Sequence, residues 1–229
     1  MSNVPVVVPV PVLYYDPSNS SSYPGTGTTI NSLAPTNLTG AMSNITYTNP
    51  YFTYNGSNAT MSVSDNSLLE PGAGDFTLEA WVYYSAIAGS SRVIVGKTDG
   101  GQAADWGYGI RTGSNGGTYF EVGNGTTSTT SPSYTVSTGQ WYHIVGVWTN
   151  ISANTIELYI NGVSQGSNSH SFTSVKNSTR PLSFGSFDGG ATFGQWFNGR
   201  MGIYRQYNSA LSAAQVGVNY NTTKGIYGL

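Results

Sequence analysis

The stretch DFTLEAWVYY (75–84) constrains the fold more than any other part of this chain. Phe76, Leu78, Ala80 and Val82 alternate with Thr77, Glu79, Trp81 and Tyr83. Side chains on a strand project to opposite faces with period two, so this register predicts a long strand with one wholly apolar side. The other side mixes polar and aromatic groups, which suits a face that is partly covered. A second stretch of the same kind, GQWYHIVGVWTN (139–150), follows about sixty residues later.

The remaining segments supply short strands and turns around these two. TIELYINGV (155–163) is the clearest hairpin: Ile156, Leu158 and Ile160 alternate with Glu157 and Tyr159. Asn161-Gly162 then provides the two positive-φ residues of a type I′ turn. SRVIVGK (91–97) places Val93 and Val95 on one face, and WGYGIR (106–111) pairs with TYFEV (118–122) across a Gly-rich turn. PLSFG (181–185) reads as a strand, and QWFNGRMGIYRQY (195–207) as the last long one, with Gly199 and Gly202 suggesting a bulge. Ser212 and Gln215 have capping-box spacing and open a short helix through about Tyr220. Together these predict an all-β protein: an antiparallel two-sheet jelly-roll sandwich with one short C-terminal helix.

Composition narrows the functional classes. At 229 residues the chain is long for one domain, but sandwiches of this length are often single domains. It has no cysteine, which removes disulfides, thiolate zinc sites and cysteine nucleophiles together. Only 8% of residues are charged and the net charge is −2, so there is no basic footprint for nucleic acid. Aromatic content of 13% argues against disorder. The polar surface is built from Ser, Thr, Asn and Gly, as in exterior β proteins. The first twelve residues, MSNVPVVVPVPV, carry no Lys or Arg, and Pro5, Pro9 and Pro11 prevent a helix. They therefore read neither as a signal peptide nor as a membrane span. The expected organisation is an extended arm over 1–12 and one domain over 13–229. The arm is either a leader without a partner or a docking strand that lays Val4, Val6, Val8, Val10 and Val12 on a neighbouring subunit.

The order of DFTLEAWVYY, VIVGK (93–97), GQWYHIVGVW (139–148), IELYINGVSQG (156–166) and FNGRMGIYRQYNSALSAAQV (197–216) resembles the laminin-G-like members of the concanavalin A-like lectin/glucanase superfamily. The resemblance runs from about Leu13 to Gly228. It implies the jelly roll, but the fold hosts lectins, hydrolases, adhesive modules and virion proteins alike. Relatives often carry an Asp just after the Gly that follows FNG; here the stretch is Arg200-Met201-Gly202-Ile203, and that carboxylate is missing.

Glucanases of this superfamily carry E-x-D-x-E on one strand. This chain has no such triplet, and its ten acidic residues are scattered singly. Glu79 and Glu157 fall in strand patterns and read as solvent-facing or hydrogen-bonded. His143 reads as a strand histidine, and His170 lies in a Ser-rich loop with no nucleophile elbow. No catalytic residue is expected. Calcium, the common ligand of the resembled family, would use Asp99, Asp105 or Asp188 beside Gly-rich loops, although Asp-Gly also simply makes turns. Carbohydrate recognition would use aromatic faces with polar partners, and Trp106, Tyr108, Tyr119, Asp188, Phe193 and Trp196, in or next to loops, are the residues expected to supply them. Trp81, Trp141 and Trp148 fall in strand patterns and read as core.

The resulting expectation is a non-enzymatic virion protein, a minor capsid, decoration or fibre-associated component. It would be made in the host cytoplasm, join other capsid proteins or its own copies, and face outward with its lectin-like loops. The competing reading is a glycan-binding lectin or adhesin of a cell surface.

Overall fold

The computed structural model describes residues 6–87, 91–100, 102–187 and 195–229. Two antiparallel sheets pack face to face. The first holds β1 (Leu13–Tyr15), β4 (Thr46–Thr48), β5 (Tyr51–Asn55), β7 (Phe76–Tyr84), β13 (Trp141–Thr149), β14 (Thr155–Ile160), β15 (Val163–Ser169) and β17 (Asn198–Tyr207). Its order is β15-β14-β13-β7-β17-β5-β4, and β1 takes the edge of β17 beyond the end of β5. The second holds β2 (Thr29–Asn31), β3 (Thr39–Ser43), β6 (Thr60–Val63), β8 (Arg92–Thr98), β9 (Trp106–Thr112), β10 (Gly117–Gly123), β11 (Ser128–Thr130), β12 (Tyr134–Thr135) and β16 (Leu182–Phe184). Its order is β11-β10-β9-β8-β16-β6-β3-β2, with β12 beside β10. The jelly-roll sandwich expected from the sequence is therefore present. The long strands β7 and β13 pair with each other at its centre, from Trp141 opposite Tyr83 to Trp148 opposite Phe76.

The alternation of β7 sets the layers. Phe76, Leu78, Ala80, Val82 and Tyr84 point inward and join Ile144, Trp148, Ile156 and Leu158 in the core. From the second sheet, Val95, Tyr108, Ile110 and Phe120 meet them. The Phe76 ring lies 5.1 Å from Tyr108 and 5.6 Å from Phe120, edge contacts that add to the burial of apolar area. Gly146 lets the sheets approach: a Cβ there would overlap the Phe120 ring. The hairpin turn matches its sequence, with Asn161 at φ +52° and Gly162 at φ +79°.

The C-terminal helix α1 (Ala213–Thr223) starts at the Ser212/Gln215 capping box and continues into a 3₁₀ turn, Lys224–Tyr227. It lies on the outer face of the first sheet. Trp81, fully buried there, donates its indole N–H to Thr223 Oγ1 at 2.9 Å and stacks on Tyr227 with ring centroids 4.4 Å apart. The face of β7 opposite the core is thus a second buried layer over part of its length.

Two expectations need correction. Val93 and Val95 do not share a face, because the register shifts between them. Val95 joins the core, whereas Val93 packs outside the second sheet with Trp106 and Phe187. The irregularity in β17 falls between Met201 and Tyr204, where Gly202 was expected to mark it, and not at Gly199. The arm makes contacts with its own chain. Val12 N–H donates to Gln206 O at 2.8 Å, and Gln215 Nε2 donates to Val7 O at 2.8 Å. Val8 lies against Val145, Tyr159, Tyr207, Leu211 and Val216. Two backbone groups of this extended proline-rich segment thereby find partners, one on β17 and one on α1. Val6 and Val10 remain 45% and 71% exposed, and Val4 lies outside the described residues.

Candidate functional site

The outer face of the first sheet divides into two halves. Beneath α1, Glu79 is fully buried and hydrogen-bonded, the second of the two states expected of it. Its Oε1 lies 2.6 Å from Arg205 Nη1 and 3.1 Å from His143 Nε2. Its Oε2 accepts from Asn219 Nδ2 at 2.5 Å. Burial alone would raise the carboxyl's pKa. The charge on Arg205, helped by His143 and Asn219, outweighs that and brings it down to about 2. Glu79 joins three strands and the helix, and α1 seals it from substrate, so this cluster is structural.

Beyond the 3₁₀ turn the sheet is uncovered. Trp141 on β13 sits opposite Tyr83 on β7, Tyr83 opposite Arg200 on β17, and Arg200 opposite Thr53 on β5. Residues paired across strands share a face, so the register lays these four side chains in one outward row. Tyr51, two residues before Thr53, joins the row diagonally. The Arg200 guanidinium lies 4.5 Å from the Tyr83 ring centre and 4.7 Å from that of Tyr51. Trp141 closes the group at 5.6 Å from Tyr51 and 5.7 Å from Tyr83, and it is backed by Tyr227 at 4.5 Å. Tyr51, Tyr83, Trp141 and Arg200 all stay partly exposed. Among the described residues, no carboxylate pairs with Arg200. The arrangement is a shallow aromatic platform with a flat cation held in its middle.

The residues expected from the sequence fall elsewhere. Tyr108 points into the core, where its hydroxyl donates to Leu69 O at 2.7 Å. It cannot meet a sugar. Trp106 is also buried, at 1% exposure, because Gly96 and Gly109, paired across β8 and β9, leave a floor for its ring. Phe187 packs on it at 5.5 Å and Arg111 lies over it at 4.6 Å. Arg111 reaches as far as the partly exposed Tyr119, 6.0 Å away, so the structure does bring Trp106 and Tyr119 into one neighbourhood. That arginine is neutralised by Glu121 at 2.7 Å. Trp196 is partly exposed before β17, while Asp188 and Phe193 lie outside the described residues.

The acidic loops do not fit a calcium ion at the positions described. Asp99 accepts from Ser178 Oγ at 2.6 Å and pairs with Lys176 Nζ at 2.9 Å, so a cation already neutralises it. Asp105 caps its own turn by accepting from Gln102 N–H at 3.1 Å. Among the described residues, no three His, Asp or Glu side chains come together as a metal site. Asp65 and Glu70 both contact the buried Lys97, at 2.7 Å and 2.6 Å. His170 stacks on Trp148 at 3.6 Å, its Nε2 lies 2.9 Å from Thr149 O, and burial lowers its pKa. No helix among the described residues is long and apolar enough to cross a membrane.

Fold and surface together define a lectin-like jelly-roll domain. The laminin G-type profile of the concanavalin A-like lectin/glucanases superfamily matches residues 55–217, and the chain belongs to that superfamily. Among solved structures, it is similar to the binding domain of botulinum neurotoxin serotype D, with a TM-score of 0.71 and 14% identity over 93% of this chain and 52% of that one. The binding domain of Paraclostridial Mosquitocidal Protein 1 gives 0.74 and 16% over 95% and 55%. Trypanosoma rangeli sialidase in complex with sialic acid gives 0.71 and 14% over 98% and 36%. The chain thus spans about half the length of the two toxin binding domains, and at these identities the likeness is one of fold. No curated protein sequence matches the chain.

Proposed function

We propose that this chain is a non-enzymatic recognition module that binds glycans on the aromatic row Tyr51–Tyr83–Trp141. One observation carries the reading: three partly exposed rings share one outward face of a rigid sheet, where the apolar faces of a sugar can stack. Hydrolysis would need two carboxylates facing one cleft. Here Glu79 pairs with Arg205, Glu121 with Arg111, and both Asp65 and Glu70 with Lys97, which supports a binding role. The similarity to binding domains of two toxins accords with it. The test is a glycan array of the purified protein with calcium and with chelator, repeated with Trp141→Ala. The reading expects binding that survives chelation and is lost in the variant. Failure to bind any glycan, or binding indifferent to Trp141→Ala, would overturn it.

A second reading is favoured by the arm. Val7 and Val10 are 77% and 71% exposed on a segment held by one hydrogen bond to β17 and one to α1, which leaves apolar side chains for a partner. This suits a component of a virion exterior that assembles with its own copies or with other capsid proteins, carrying the platform outward. Sedimentation of the full chain beside Val7→Asp/Val10→Asp checks it: an assembly that the double variant dissolves is expected, and a monomer in both counts against it.

A further inference from the structure

The proposed glycan surface has a feature that a neutral sugar would not need. Arg200 enters it between Tyr51 and Tyr83, with its guanidinium 4.7 Å and 4.5 Å from the two ring centres. Among the described residues, the other two arginines that lie over rings are neutralised within the chain. Arg111, over Trp106, pairs with Glu121 at 2.7 Å, and Arg205, over Tyr14, pairs with Glu79 at 2.6 Å. Arg200 has the same stacking with no carboxylate beside it among the described residues, on an aromatic platform that α1 leaves open. A guanidinium stacked between rings keeps its plane fixed and its N–H edges free. Those edges form a fork that matches the two oxygens of a carboxylate.

We infer that Arg200 is the subsite for a carboxylate-bearing sugar, with the pyranose ring lying on Trp141 and Tyr83 or Tyr51 and the carboxylate in the Arg200 fork. The inference rests on the platform being the glycan site and adds its chemical class. The aromatic box already contains a cation, so it excludes cationic ligands. The charge is presented edge-on beside apolar faces, which is what an acidic sugar offers in complement. A guanidinium fork also holds tetrahedral oxyanions bidentately, so a sulfated sugar is the competing ligand that the test separates from the carboxylate.

The test compares three probes on the full chain by calorimetry: a uronic-acid-terminated oligosaccharide, its carboxyl-reduced counterpart, and a sulfated form of that neutral chain. Each is measured on the wild type, Arg200→Gln and Arg200→Lys, and the melting temperatures are checked alongside. The expected result is about tenfold tighter binding of the acid than of the reduced sugar. Arg200→Gln should erase that preference and leave the weaker neutral binding, while Arg200→Lys should restore only part of it. Equal binding of acid and reduced sugar would overturn the inference and leave glycan recognition standing. Equal binding of acid and sulfate would also overturn it, leaving a subsite for any oxyanion. Binding of none of the three would remove the platform as a glycan site and the inference with it.

Discussion

Two arginines on one strand face the same way and do different work. Arg205 and Arg200 both leave β17 on the outer side of the first sheet, and both lie against tyrosine rings. Arg205 is under α1, where leaving a charge without a counter-ion would be costly, and it has Glu79 at 2.6 Å. Arg200 is five residues earlier, past the end of the 3₁₀ turn, where water can reach it and rings alone hold it. The helix decides the difference. Where it covers the sheet, the outward row is a satisfied polar core. Where it stops, the same row becomes a surface with an unspent charge, and that is where recognition can reside.

Breaking the covered half should have the largest effect. Glu79→Ala leaves Arg205 buried without its counter-ion and should cost about 3–5 kcal/mol of unfolding free energy in denaturant titrations. A loss under about 1 kcal/mol would mean that water reaches Arg205 and that the two halves do not differ. The same pair predicts the acid limb. A carboxyl whose folded pKa is about 2, below its unfolded value of roughly 4.3, contributes stability that is fully present above that unfolded value. That stability, roughly 3 kcal/mol, is lost as pH falls from about 4.5 towards 2. Glu79→Gln should flatten this limb in pH-dependent melting; an unchanged slope would show that Glu79 is not its source.

The open half should respond in the opposite sense, with small effects on stability and large ones on binding. Trp141→Ala removes contacts with Tyr51, Tyr83 and Tyr227 and should cost about 1–2 kcal/mol while abolishing glycan binding. Arg200→Gln should change stability least, by about 0.5–1 kcal/mol, the worth of cation–π contacts at exposed sites. If Arg200→Gln instead destabilised the fold as much as Glu79→Ala, the platform would be structure and not site.

The sandwich was legible because its evidence is local. The alternation in β7 and β13, Asn161-Gly162 and the Ser212/Gln215 capping box each lie within a dozen residues, and each appears in place. The short strands β2 and β3 carry too little pattern to be read. The site was mostly not legible, for two physical reasons. Trp106 and Tyr108 stand next to a Gly-rich loop, and the glycines around them gave no sign of a buried ring. Those glycines instead thin β8 and β9 so that the Trp106 ring can lie over the sheet. The platform joins Tyr51, Tyr83, Trp141 and Arg200 from four strands, and only the register of the folded sheet makes them neighbours. One clue was present. Trp81 and Tyr83 shared the polar side of β7 with Glu79, and such a face is covered over part of its length and exposed over the rest.

The most direct measurement follows the indole N–H signals of the five tryptophans by NMR as a uronic-acid-terminated oligosaccharide is added. The account predicts that the Trp141 signal moves, while those of the buried Trp81, Trp106 and Trp148 stay where they are. A titration that shifts Trp106 or Trp196 and leaves Trp141 in place would contradict it and return recognition to the outer face of the second sheet or to the loop before β17.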